Sequence, residues 1–366
     1  MDVSGIEQLS ICIRYINHVN GAEICEEFLG FCPLAKQDAA SITEAILCQL
    51  EMWGLEIDYI RGQGYDGASA MSGHVSGVQQ RMKELQPRAL FTHCRSHALN
   101  LVVVHGCSDI PLVRNTMATI ENIAVFFSAS AVRKHMLQEE PTGSMETHAR
   151  VKRKTGGIPL MSDTRWGSRG KTVGAFLDHF KSAHSALTDL ESRTSSNANK
   201  ANNLRHIMES FVTAVTTHKI LGYIQPLTKG LQSPNIDLIT TYTEAREVAQ
   251  VISTLRNEEG FCDIYAQSIE LASSIDVVPS KKRVTNRQQN RANTPSQSIE
   301  EHYRLNLFYP FIDHVTSQLN TRFVENSGAS HACYIPDSFS FVQTHKRQAR
   351  NDGVMVQRRP TSARLH

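Results

Sequence analysis

The sequence predicts an α/β region followed by an all-α region: a mixed sheet with helices against it, then helices almost without interruption. Three observations carry that expectation. Two β-branched and aromatic runs lie within the first 34 residues, divided by Asn20-Gly21. A glycine-rich segment with a single acid, Gly62 to Met71, separates an apolar stretch from a helical one. From Leu112 onward, apolar residues recur at helical period.

Taken in order, Gln8 to Tyr15 alternates with Leu9, Ile11, Ile13 and Tyr15 on one face and reads as a strand. Glu23 to Leu34 reads as a second strand, and Asn20-Gly21 between them is a hairpin signal. Ser41 to Trp53 places apolar residues one helical turn apart, with Ser41 and Glu44 as a capping box. Leu55 to Ile60 reads as a short strand, Ser76 to Leu85 as a helix and Ala89 to Thr92 as a further strand. That alternation describes a mixed sheet. Amphipathic helices are then expected over Leu112 to Phe127, Val173 to Leu187, Leu204 to Tyr223, Ile236 to Leu255 and Phe261 to Ile275, with Ser233-Pro234 opening the fourth. Gln138 to Pro159 and Ser192 to Asn203 read as polar linkers. Ile299 to Phe323 reads as a helix broken at Pro310, and the tail from Val324 to His366, with no sustained period, as disordered.

With 366 residues, 40% hydrophobic and 20% charged, the chain is that of a soluble protein of two structural units or one domain with a large insertion. No apolar run reaches the roughly 18 residues a membrane span needs. Eight cysteines spread along the chain suit reduced thiols, in nucleus or cytosol, better than a disulfide framework. The net charge is only +2, so any nucleic-acid surface must be local. Basic residues do gather, at Arg150 to Lys154, at Lys281 to Arg291 and from Lys346 to Arg364. Such runs either neutralise phosphates or form solvated linkers.

Three constellations can carry chemistry. Asp66, set among glycines, stands where open α/β sheets bring ligands and metals, and it equally suits a turn aspartate capping the next helix. Cys94, His97, His105 and Cys107 are zinc-type ligands, but Leu101 to Val104 between them look buried. In Asp163-Thr-Arg165-Trp166-Gly-Ser168-Arg169, the tryptophan could stack on an unpaired base while guanidiniums hold phosphates, or could simply anchor a helix.

The segment from Gly62 to Gly73, then Cys94-x-x-His97-x-Leu-Asn100-Leu, then Thr164-Arg165-Trp166-x-Ser168, resembles the hAT superfamily of DNA transposases. The resemblance is greatest to domesticated vertebrate copies related to zinc-finger MYM-type and kinase-inhibitor-repressor proteins, and Gln8 to Leu34 and Glu300 to Phe323 fit that branch too. It implies an incomplete RNase H-like mixed sheet interrupted by a large helical insertion. In that family three acids hold Mg2+ or Mn2+ for attack on a DNA phosphodiester. Asp66 matches the second acid and so the metal ligand, Trp166 a tryptophan that stacks on a flipped base, and Cys94 with His97 a pair close to the DNA path.

The chain also departs from the family. Asp2 matches only the last residue of the segment that carries the first acid, and the third acid belongs to helices beyond Phe323, where this sequence diverges. The chain is therefore expected to be truncated at both ends, without its oligomerisation region, and weak or empty of metal. Loss of the first strand should leave a sheet edge open and invite aggregation. The expected organisation is a partial RNase H-like domain over 1–135, a loop over 136–160, the helical insertion over 161–276, a basic linker over 277–298, a returning helix over 299–323 and the tail over 324–366. The expected function is that of a catalytically inactive, transposon-derived protein with vestigial Asp66. It would bind DNA weakly and salt-sensitively through Cys94, His97, Arg165, Trp166, Lys281, Lys282 and Arg283, or bind protein partners, with no membrane association. The alternatives are a metal-dependent transposase or nuclease completed by a partner chain, and a regulatory interaction protein.

Overall fold

The computed structural model describes residues 6–18, 23–137, 157–162, 167–193, 197–208, 211–231, 238–280, 294–325 and 340–345. The chain divides into two compact units, Met1–Cys94 with Cys333–His366, and Arg95–Ala332.

In the first unit, strands β1 (Glu7–Asn17) and β2 (Glu23–Leu34) pair antiparallel from Glu7↔Leu34 to Asn17↔Glu23. The turn expected at Asn20-Gly21 lies outside the described residues; β2 has the expected bounds, while β1 runs beyond the expected Gln8 to Tyr15 at both ends. Helix α1 (Ala39–Met52) begins earlier than Ser41, because Asp38 is the capping residue. Its Oδ1 accepts the Ser41 N–H at 2.9 Å and its Oδ2 the Ser41 hydroxyl, also at 2.9 Å. A carboxylate one helical turn back outcompetes the hydroxyl of the expected capping box.

These bonds hold the Asp38 carboxyl below its ordinary value of 3.8, and a depressed folded value stabilises the fold above the unfolded value. Asp38→Ala should therefore lower the thermal midpoint at neutral pH. The difference from wild type should shrink as pH falls through the folded value of Asp38, which a series of melts down to acid pH will read.

The strand expected at Leu55 to Ile60 is instead a 3-10 turn, Ile57–Tyr59. Its carbonyls are taken by side chains: Gln86 Nε2 donates to the oxygens of Ile57 and Asp58, and Arg88 Nη2 to that of Asp58. The strand begins later, as β3 (Gly62–Tyr65), within the glycine-rich segment itself. Buried Gln63 fixes it, its Nε2 donating to Gln79 O at 3.0 Å and Ala89 O at 2.9 Å. Helices α2 (Ser69–Ser72) and α3 (Val78–Leu85) follow, then β4 (Leu90–His93), parallel to β3 with Tyr65 opposite His93.

The tail departs most from expectation. Ser340–His345 form a strand, β5, inside the sheet, antiparallel to β1 and parallel to β3, giving the order β2-β1-β5-β3-β4. β5 thus joins β1 to β3, and among the described residues the outer strands of the sheet are β2 and β4. A core of Leu9, Ile11 and Cys32 from the sheet, Ile42, Ile46 and Leu50 from α1 and Val78 and Met82 from α3 closes one face.

The second unit is helical. Its elements are α4 (Arg95–Asp109), α5 (Pro111–Ser128), α6 (Ala131–Met136), α7 (Ser168–Asp178), α8 (Phe180–Ser192), α9 (Ala198–Ile207), α10 (Phe211–Gly230), α11 (Leu238–Thr254), α12 (Glu258–Ser273), α13 (Ile299–Tyr303) and α14 (Tyr309–Leu319). The helices from Arg95 to Met136, read from sequence as part of the first domain, cluster with this unit.

One expected helix is divided, and one expected linker is partly helical. Val173 to Leu187 breaks at His179, which lets Phe176 and Phe180 meet edge to face with centroids 5.5 Å apart. Part of the Ser192 to Asn203 linker is helix α9, whose Ala201 and Leu204 are buried. Arg205 Nε bonds Glu191 Oε2 at 2.7 Å, and this guanidinium holds the Glu191 carboxyl below its ordinary value. Polar composition hid that helix, because an ion pair to α8 helps a few buried apolar residues to hold it.

Nor does Pro310 break its helix. A π-helical turn over Arg304–Phe308 precedes it, with the Tyr309 N–H bonded to Arg304 O, and Pro310 sits in the first turn of α14. The wider turn takes up the missing donor. A second π-helical turn, Asn320–Glu325, carries the helix past Phe323. Ser233-Pro234 lies outside the described residues. Each described cysteine is a free thiol, and among the described residues no helix is long and apolar enough to cross a membrane.

Candidate functional site

In the first unit, Asp66 follows β3 at its carboxyl end, as expected, although the strand leading to it is Gly62–Tyr65. It is half-buried, and its Oδ1 accepts the Ala68 N–H at 3.1 Å. That is the turn-aspartate role. Beside it, the Cys94 N–H donates to Tyr65 O at 2.8 Å, extending the β3–β4 ladder by one step. Two segments far apart in sequence therefore leave the sheet from one edge. Burial pushes the Tyr65 phenol up beyond its ordinary range, and its ring stacks with Phe91 at 6.0 Å.

Gly67 has a steric reason for being glycine. A Cβ there would stand 2.8 Å from His93 Nε2, inside contact distance. Gly67→Ala should cost about 1–3 kcal/mol by overpacking, and His93→Ala should remove most of that cost. Denaturant midpoints of the two single variants and the double variant check this; equal costs with and without the imidazole would show that the clash is not its origin.

In the second unit, His97, Ser96 and Asn100 lie at the start of α4. Ser96 Oγ donates to Leu231 O at 3.1 Å. The Arg95 guanidinium lies over the Tyr242 ring at 4.9 Å and donates through Nη1 to Arg322 O at 3.3 Å. Ser96, Leu99, Asn100 and Val103 of α4 line a small pocket with Gly167 and with Thr228 of α10. Gly167 takes the left-handed conformation, φ 70°, ahead of α7, which a residue with a side chain adopts at a cost. Ser168 Oγ donates to Ser162 O at 2.7 Å and accepts the Ser162 N–H at 3.3 Å. Both flanks of the segment 163–166 are thereby held together. Arg165 and Trp166 within it lie outside the described residues, as do Lys281, Lys282 and Arg283.

The expected zinc-type set does not assemble. His97, His105 and Cys107 ride one continuous helix, and eight residues of helix separate His97 from His105 by about 12 Å. His105 Nδ1 stands 3.7 Å from Asp109 Oδ2. Cys107 is buried, which pushes its thiol up to about 11 although the nearby Arg169 opposes the shift. Among the described residues no three His, Cys, Asp or Glu side chains converge to hold a metal ion. Tyr242 and Thr228, on distant helices, had no local signal in the sequence; only the folded packing brings them to α4.

Residues 1–77 match the family model described as DUF4371, the ZMYM1/FAM200 RNase-like domain. An RNase-like domain agrees with the mixed sheet and the helices against it. Over 344 residues, 89% of this chain, it is 24% identical to the human protein called 52 kDa repressor of the inhibitor of the protein kinase. The mouse protein of that name is 24% identical over 342 residues, again 89% of the chain. The chain spans 43% and 44% of these two relatives, less than half of each. These similarities support a likeness to domesticated, transposase-like proteins.

Proposed function

We propose that this chain is a transposon-derived protein of hAT type, with an RNase H-like sheet, that works by binding DNA rather than cutting it. The observation that carries the reading is the grouping around Gly167. The start of α4, with Ser96 and Asn100, and the start of α7 share one pocket, so two of the motifs that resemble the transposases meet beside the segment bearing Arg165 and Trp166. Asp66 favours the same reading, because its carboxylate already serves the backbone of the following turn. Lys281, Lys282 and Arg283 would add phosphate contacts, and Cys94 and His97 would flank the DNA path. Mg2+ or Mn2+ would bind weakly, if at all, through Asp66. Nucleus or cytosol is the proposed location.

Binding through base stacking and phosphate contacts predicts retention on DNA that falls steeply with salt. Trp166→Ala should weaken it by about 1–3 kcal/mol if one base stacks there. Filter retention of single-stranded and duplex DNA over a salt series measures both, and retention indifferent to salt and to the tryptophan would sink the proposal. Metal-dependent nicking of supercoiled DNA, abolished by Asp66→Ala, would instead establish the nuclease alternative. The name of the relatives, a repressor of a kinase inhibitor, favours a second reading, regulation through protein partners; co-purification of a stoichiometric protein without DNA would support it.

A further inference from the structure

The outer strand β2 presents an unusual surface. It ends the sheet order, and among the described residues it pairs with β1 alone. The β1–β2 register shifts between Ile11 and Cys12, so that Gly30 faces Ile11 while Phe28 faces Cys12, and Leu29 is the extra residue. In a regular strand, residues 28 and 31 would point to opposite faces. The bulge puts both on the face away from the core of Leu9, Ile11 and Cys32, where their rings meet edge to face with centroids 4.9 Å apart. Neither is covered: Phe28 is 55% exposed and Phe31 48%, with Ile24 on the same side at 37%. Charge at this edge is one-sided. Exposed Glu23, Glu26 and Glu27 lie on β2, and the basic residue opposite them on β1 is Arg14.

We propose that the outer edge of β2 is a docking strand for an extended, basic segment of a partner protein. That segment adds to the sheet beside β2, its Lys or Arg side chains opposite Glu23 and Glu27, which share one face, and its apolar side chains opposite Phe28 and Phe31 on the other. Main-chain bonds to an open edge supply affinity, and the side chains supply selectivity. Open edges of natural sheets are usually defended by lysine, proline or short length. Here the strand is 12 residues long, and its proline, Pro33, stands near the end remote from the acids. A second copy of this chain fits the edge poorly, because β2 against β2 would bring the same three acids from each copy onto one ribbon.

The test uses the full chain and a fluorescent peptide that alternates valine with arginine, read by anisotropy, beside a control peptide that alternates valine with glutamate. The arginine peptide is expected to bind saturably. The control, the Glu23→Lys/Glu27→Lys variant and the Phe28→Ala/Phe31→Ala variant should each bind about tenfold more weakly, the sum of a few cross-strand pairs. Each variant should still melt cooperatively, since these side chains are exposed and outside the core. Equal binding of both peptides, or full affinity in the charge-reversed variant, overturns the proposal. So does a concentration-dependent dimer in sedimentation that the charge reversal alters, which would assign the edge to a second copy. Since β2 belongs to the sheet unit and the DNA reading rests on the helical unit, failure of one leaves the other standing.

Discussion

Gln343→Pro is expected to destabilise the sheet unit by about 3 kcal/mol or more, as proline does where it removes a ladder donor from an interior strand. Gln343 lies opposite Cys12 of β1 on one side and Gly64 of β3 on the other, so the strand has no free edge on which proline is tolerated. Without β5 the sheet separates into the β1–β2 pair and the β3–β4 pair, which share no other ladder. Trp53 offers a local readout, since its Cζ2 lies 3.5 Å from where a Cβ on Gly30 would stand. In a Trp166→Phe background its fluorescence should report the loss of this unit at lower urea, with Gln343→Thr as a conservative control. An unchanged midpoint in the proline variant would remove β5 from the fold.

Phe311→Ala should cost the helical unit about 3–5 kcal/mol, the usual range for deleting a buried aromatic ring. The ring is fully buried in the aromatic core that also holds Phe261 and Phe308, whose centroids are 5.5 Å apart. It also faces a gap in α4. A Cβ on Gly106 would come within 3.3 Å of Phe311 Cε2 and 3.2 Å of Val315 Cγ2, which is why that helix position carries glycine. In the Phe311→Ala background only Val315 Cγ2 still has to give way and Gly106→Ala regains helix propensity, so it should recover up to about 1 kcal/mol. In the wild type the same change should be neutral or harmful. Helical circular dichroism through a urea titration measures all three variants, and strictly additive effects would contradict the contact.

The strands that the sequence revealed were those whose own side chains alternate. β1 and β2 could be read directly, because Leu9 and Ile11 alternate along β1 and both enter the hydrophobic core. β3 could not: Gly-Gln-Gly-Tyr has little preference for a strand, and it becomes one because a buried amide, Gln63, bridges α3 and the start of β4. β5 was harder still, being six residues in a tail without period whose partners lie near the start of the chain. Long-range pairing leaves no local mark. Helices were legible where an apolar stripe exists and hidden where an ion pair helps a few buried apolar residues, as that of Glu191 and Arg205 does for α9. At the candidate site, the place of Asp66 at a strand end was legible, but its bond to Ala68 was not. The meeting of α4 with Gly167 and Thr228 depends on tertiary packing alone.

The position of β5 also sets a timetable for synthesis. A ribosome delivers β1 to β4 first, then the roughly 250 residues up to β5, an interval on the order of 10–50 s at ordinary elongation rates. Through that interval the helical unit can form from contiguous chain, while β1 and β3 wait with unsatisfied amides along facing edges. Nascent chains of this protein should therefore occupy holdase chaperones until translation is nearly finished, and a stop codon placed just ahead of Ser340 should leave a product that never gains release from them.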